Sequence, residues 1–244
     1  MNEDFTNVYE DEARADAYAK LEFPGTYYLA YRDLPAIIGE HVQGRRALDF
    51  GCGTGRSTRF LRRHGFEPVL GVDIAEQMIA LARERDPGGE YRLVPDGDLG
   101  ALAPGAYDLV LSVFTFDNVP TMGRRVGLFL ALKRLLKEGG RIVNVVSAPP
   151  IYVNEWASFS TKDFPENRSA QSGDSVRIVM LDVEDRRPVE DILWTDEAYR
   201  EVYERAGLAL LETYRPLAAD TEPFAWVSET TISPWSIYVL GAPT

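Results

Sequence analysis

Residues 47–58, Ala-Leu-Asp-Phe-Gly-Cys-Gly-Thr-Gly-Arg-Ser-Thr, constrain this chain more than any other stretch. An apolar run ends in Asp49, glycines follow at 51, 53 and 55, and a helical pattern opens at Arg56. A strand that turns through glycines into a helix leaves a backbone concavity. The main chain can approach a ligand closely there, and the unpaired N–H groups of the helix N-terminus face an anion. The stretch therefore predicts an α/β fold with a nucleotide-like ligand at the turn. A dinucleotide fingerprint needs G-x-G-x-x-G. Here Arg56 stands where the third glycine belongs, which disfavours a pyrophosphate and with it a nicotinamide dehydrogenase.

Further elements follow in order. Pro68-Val69-Leu70-Gly71-Val72-Asp73 reads as a short buried strand ending in a carboxylate, a place from which an acid accepts hydrogen bonds from two ribose hydroxyls. Asp73-Ile74-Ala75-Glu76 also has the form of a helix capping box, and the two roles are compatible. Tyr91 to Val94 predicts a third strand, followed by Asp96-Gly97-Asp98-Leu99. Tyr107 to Val113 predicts a fourth, ending at Phe114-Thr115-Phe116-Asp117-Asn118. Leu135-Leu136-Lys137-Glu138-Gly139-Gly140 then stops a helix ahead of a fifth strand.

Taken together over residues 45–146, these elements resemble the class I S-adenosylmethionine-dependent methyltransferases of the small-molecule type. The resemblance implies S-adenosylmethionine as cofactor. Gly51, Gly53 and Gly55 would cradle its methionine moiety, with Cys52 counted in the same loop as a small buried filler. Asp49, the Gly51 carbonyl and the main chain near Ser112 would face its ammonium group. Asp73 would hold the ribose, Ile74 would lie on the adenine face, and Asp98, with Leu99 beside it, would take the adenine edge. Asp96 competes with Asp98, and both also suit an ordinary turn.

The resemblance further implies a Rossmann-like, seven-stranded, mostly parallel sheet with helices on both faces and the last strand antiparallel. Residues 1–244 are read as a single domain. Asp11 to Leu21 and Thr26 to Ile38 show helical patterns broken at Phe23-Pro24-Gly25, and residues 1–40 are expected to form a helical lid carrying Tyr9, Tyr18, Tyr27 and Tyr28. Thr195-Asp196-Glu197-Ala198 opens a late helix that Gly207 closes. Leu208–Tyr214 and Ser236–Leu240 read as the final two strands. Residues 148–194 form a long insertion, with strand-like runs at 175–183 and 189–194. Long aromatic loops at the carboxyl ends of the strands are either walls of a substrate pocket or an oligomer contact, and a homodimer fits the second reading.

Methyl transfer from a sulfonium needs alignment and exclusion of water more than a strong base. Small-molecule members of this family often carry His-His after the fourth strand. This chain has Asp117-Asn118 there, so Asp117 is the nearest candidate base, or else a loop cap. Asn118 is placed as a group that orients substrate, and Glu155 as a weaker acid candidate. Tyr27, Phe116, Tyr152 and Trp156 are the expected substrate-pocket residues. His41 and His64 are given no role, and no His/Cys cluster has metal spacing, so no metal is expected.

A net charge of −12 would repel a phosphate backbone, which sets nucleic-acid substrates aside. Arg56, Arg59, Arg62 and Arg63 lie at helical spacing and read as a solvated face. No apolar run approaches the ~18 residues that span a bilayer. The single cysteine and the polar, acidic N-terminus fit a cytoplasmic protein. The expected activity is transfer of a methyl group to nitrogen or oxygen of a small organic molecule. The alternatives are a cofactor-binding protein without activity, acting as a sensor or inactive partner, and a methyltransferase of tRNA or protein.

Overall fold

In the computed structural model, residues 24–243 are described. The predicted helix over 11–21, with Tyr9 and Tyr18, lies outside them.

Tyr107–Val113 (β4) is buried at every position. A strand with no polar face must be central, covered on both sides. It pairs in parallel with Ala47–Phe50 (β1) and with Leu136–Ser147 (β5). Val69–Asp73 (β2) and Glu90–Leu93 (β3) extend the parallel sheet beyond β1. Trp235–Gly241 (β10) inserts antiparallel between β5 and Ala209–Tyr214 (β9). The seven-stranded order is β3-β2-β1-β4-β5-β10-β9, so β10 alone runs against the others.

Side chains alternate across this sheet and build two cores. Leu109, Leu111, Val113, Val143, Val145, Ile237 and Val239 face one side. There they meet Thr26–Arg32 (α1), Leu34–His41 (α2) and the Phe60 and Leu61 side of Arg56–Arg63 (α3). Leu48, Val72, Val110, Ile142, Tyr238 and Leu240 face the other side, against Met122–Leu135 (α5) and Asp196–Arg205 (α6). Glu76–Arg85 (α4) packs Ile79 and Ala82 on Cys52 and Tyr91. Thr121 caps α5 and Thr195 caps α6, each hydroxyl accepting from the backbone N–H three residues on.

The insertion forms a small antiparallel sheet, Phe159–Ser160 (β6), Ser175–Met180 (β7) and Val189–Ile192 (β8). Its apolar face, with Phe159, Val176 and Ile178, joins the first core. Strand order reverses between β1 and β4, which opens a crevice at their carboxyl ends. No helix among the described residues is long and apolar enough to cross a membrane.

Candidate active site

At the end of β1 the chain passes through three left-handed glycines, Gly51 (φ 73°), Gly53 (φ 51°) and Gly55 (φ 80°), before α3 begins. Their reasons differ. A Cβ on Gly51 would come within 2.0 Å of Thr115 Oγ1, and one on Gly55 within 2.5 Å of the Tyr91 hydroxyl. A Cβ on Gly53 would meet nothing within 4 Å. Gly51 and Gly55 are packing glycines, and Gly53 leaves space for a ligand. Replacing Gly51 by alanine is expected to cost about 2–3 kcal/mol in urea unfolding, from positive-φ strain and displacement of Thr115. Thr115 Oγ1 would also lose the 2.9 Å hydrogen bond it donates to the Phe50 carbonyl. A cost below about 1 kcal/mol would mean that the loop relaxes at little expense.

The crevice holds two adjoining cavities. The first is lined by Gly51, Gly53, Asp73, Ile74, Asp96 and Asn118, with apolar walls that include Met78, Val113 and Leu128. Asp73 closes the turn. Gly53 N donates to its Oδ2 at 2.8 Å and Ala75 N to its Oδ1 at 2.9 Å. Burial raises its pKa despite these bonds. The sequence suggested a capping box here, yet Ala75 holds the N-cap position of α4 without a side-chain cap.

Asp49, fully buried behind the glycines, accepts from Ser57 Oγ at 2.7 Å and Thr58 Oγ1 at 2.6 Å through Oδ2. Its Oδ1 has no hydrogen-bond partner among the described residues. Burial pushes its pKa up to about 6. An orphaned buried carboxylate oxygen next to the glycine loop, with open space before Gly53, suits a ligand that carries a cationic donor.

The second cavity shares Phe114 and Asn118 with the first. Tyr27, Phe159, Trp235 and Tyr152 line it, as do Asp117 and Asp191. Phe114 stands at the junction with φ 62°, a left-handed conformation rare for a bulky residue. Its amide donates to the Val145 carbonyl at 2.8 Å and its ring lies 4.6 Å from that of Trp235. Strain held at the meeting point of two cavities is typical of a functional position.

The expected site residues are thus divided. Gly51, Gly53, Asp73 and Ile74 line the first cavity, and Tyr27, Tyr152, Asp117 and Asn118 line the second. Several others do neither. Asp98 Oδ1 accepts from Gly100 N at 2.7 Å and serves its own turn, while Asp96 lines the first cavity. Asp49, Leu99, Cys52 and Ser112 are buried outside the linings. Gly55 lies under Tyr91. Phe116 is buried on the opposite face of the sheet, stacked on Phe129 at 4.2 Å. Trp156 is buried, its indole donating to the Ile151 carbonyl at 2.8 Å. Glu155 accepts from Thr161 N at 2.7 Å and ties the insertion to itself.

Phe159 and Trp235 belong to the aromatic loops that the sequence offered as pocket walls, and both line the second cavity. Sequence reasoning missed Phe114 and Asp191. Only Asp191 carried a usable signal, as the acid in an otherwise alternating strand, Val189-Glu190-Asp191-Ile192. Of the arginines read as a solvated face, Arg62 and Arg63 are exposed, while Arg59 donates to the Thr54 carbonyl at 2.8 Å.

Residues 48–144 match the family model described as "Methyltransferase domain". Over 218 residues the chain is 27% identical to an N-demethylindolmycin N-methyltransferase of Streptomyces griseus, covering 88% of this chain and 91% of that one. A ubiquinone biosynthesis O-methyltransferase of Bordetella avium is 36% identical over 149 residues, which are 55% of this chain and 60% of that protein. An S-adenosylmethionine-dependent methyltransferase structure from Clostridium acetobutylicum superposes with a TM-score of 0.63 at 13% identity, covering 97% of both chains. The CcbJ methyltransferase of Streptomyces caelestis gives 0.63 at 20% identity over 91% of this chain and 100% of that one. At these identities the two structures speak for the fold.

Proposed function

We propose that this chain is a class I S-adenosylmethionine-dependent methyltransferase, whose first cavity holds that cofactor and whose second presents a small organic acceptor, methylated on nitrogen or oxygen. The observation that carries this reading is the adjacency of the cavities through Phe114 and Asn118. A ligand in one meets a ligand in the other at that wall. Bound there, the cofactor supplies a methyl group on a positively charged sulfur, an electrophile that needs no further activation.

The residues divide the work as follows. The Gly51–Gly53 backbone leaves room for the methionine moiety, and the orphaned Asp49 oxygen receives its ammonium group. Asp73 takes the ribose hydroxyls with the lone pairs that Gly53 and Ala75 leave over. Ile74 and the apolar wall hold the adenine, with Asp96 in reach of its edge. On the acceptor side, aromatic rings exclude water and fix the ring or chain that carries the nucleophile. Asn118 makes no side-chain hydrogen bond among the described residues and can orient the reacting atom.

The test is incubation with deuteromethyl-labelled S-adenosylmethionine and a panel of small amines and phenols, followed by mass spectrometry. A gain of one labelled methyl group on a panel member is expected. Cofactor binding with no member converted would favour a binding protein without transfer.

A further inference from the structure

We propose that the second cavity is built to take its acceptor as a basic amine, and that Asp191 on the inserted strand β8 is the group that selects it. The proposal rests on the methyltransferase reading of the first cavity.

The cavity joins two features. One is an aromatic cluster: Tyr27 lies 5.0 Å from Phe159 and 5.9 Å from Trp235, ring centre to ring centre, and Phe114 closes the set at 4.6 Å from Trp235. The other is a pair of buried carboxyl groups, Asp117 and Asp191. Among the described residues, no lysine, arginine or histidine lines the cavity.

The two carboxyl groups are not equivalent. Asp117 is well provided for. Ser147 N donates to both of its oxygens at 3.2 Å and Ser147 Oγ to Oδ2 at 2.8 Å. Arg125 of α5, fully buried and donating to the Val119 carbonyl and the Tyr199 hydroxyl, supplies a favourable positive charge. Among the described residues, Asp191 has one side-chain bond, from the Tyr152 hydroxyl to Oδ2 at 3.0 Å. Its Oδ1 makes none among the described residues, although the residue is only 9% exposed. The charges that act on it, Asp117 and Glu190, are both negative, and burial with that repulsion raises its pKa. Register explains its position. Asp191 pairs with Val176 and Val189 with Ile178 across the antiparallel β7–β8 ladder, so all four share one face. Val189 and Ile178 line the cavity with it.

A buried carboxyl group without a counter-ion takes either a proton or the positive charge of a ligand. An ammonium group satisfies this site at each point. It brings the missing charge and N–H donors for Oδ1, and its substituents lie against ring faces that attract cations. An alcohol brings one donor and no charge, and a carboxylate ligand is repelled. The arrangement also solves a chemical problem. An ammonium nitrogen has no lone pair with which to react. Passing one N–H proton to the Asp191 carboxylate leaves a carboxylic acid and a neutral amine whose nitrogen keeps the electron pair.

The test uses the full chain saturated with S-adenosylhomocysteine. It is titrated calorimetrically at pH 8 with matched sets on several aryl-alkyl scaffolds, for example 3-phenylpropylamine, 3-phenylpropan-1-ol and 3-phenylpropanoate. In the scaffolds that bind, the amine is expected to bind about tenfold or more tighter than the alcohol, with no carboxylate detected. Asp191→Asn should reduce the amine to the level of the alcohol and leave S-adenosylhomocysteine affinity unchanged. That unchanged affinity also shows that the variant is folded. Equal binding of amine and alcohol, no binding of any amine, or a preference that survives Asp191→Asn would each overturn the proposal. Failure of the wild-type chain to bind S-adenosylhomocysteine would instead sink the methyltransferase reading beneath it.

Discussion

Replacing Glu229 by alanine is expected to lower folding stability by about 3–5 kcal/mol. Glu229 is fully buried. Its Oε1 accepts from Thr26 Oγ1 at 2.6 Å and Ala157 N at 2.7 Å, and its Oε2 from Val227 N at 2.8 Å and Ser228 N at 3.1 Å. One carboxylate therefore ties together the start of α1, the insertion and the loop that leads into β10. These segments also carry Tyr27, Phe159 and Trp235 of the second cavity. Alanine leaves the buried Thr26 hydroxyl and three part-buried backbone N–H groups without their partner, a fully buried one costing about 1–3 kcal/mol before relaxation. Glutamine keeps one acceptor oxygen and turns an amide N–H toward donors, so an intermediate loss is expected. Urea unfolding measures both. A loss under about 1 kcal/mol for alanine would show that water or backbone movement replaces the carboxylate at little cost.

Asp49→Asn should move stability and ligand affinity in opposite directions. The carboxyl group has a folded pKa of about 6, raised by burial from an ordinary value of 3.8. An acid with a raised folded pKa favours the folded state only while protonated. Its contribution is therefore most favourable below pH 4, declines as pH rises toward 6, and is constant above that. A difference of about two pK units corresponds to about 3 kcal/mol. Asparagine carries no charge to bury. The variant should therefore match wild type near pH 4 and exceed it by about 1–3 kcal/mol at pH 8, the range allowing for imperfect hydrogen bonding to Ser57 and Thr58. Affinity for S-adenosylhomocysteine at pH 8 should fall about 10- to 100-fold, the worth of a charged hydrogen bond. In wild type that affinity should weaken as pH drops through 6, whereas the variant stays flat. A more stable variant with unchanged affinity would mean that Asp49 shapes the turn without meeting the ligand.

Hydrophobic pattern and turn chemistry made the strand order along the chain and the glycine loop readable in advance, because both are local. The spacing from Asp49 to Gly55 and the acid closing β2 are set within a few residues. Residue type alone does not say which face a side chain takes. Phe116 and Trp156 were sensible pocket candidates, but Phe116 turns to the far side of the sheet and Trp156 bonds inward to Ile151. The acids of the 96–98 turn could not be told apart either. Their difference is a positive φ of 55° at Asp96, which depends on the surrounding turn. Asp191 and Glu229 lie in segments whose partners are distant in sequence, so only the assembled register and loops give them meaning.

The most direct measurement is calorimetric titration of the wild-type chain and Asp73→Ala with S-adenosylhomocysteine, with NAD as control. Asp73 is the acid that closes the glycine turn through Gly53 N and lines the first cavity. Wild type is expected to bind S-adenosylhomocysteine with a dissociation constant on the order of micromolar. NAD should not bind, and the variant should bind about 100-fold more weakly, as loss of a carboxylate bonded to two hydroxyls implies. NAD binding in place of the sulfur ligand, or equal affinity in Asp73→Ala, would contradict the assignment of this cavity to S-adenosylmethionine.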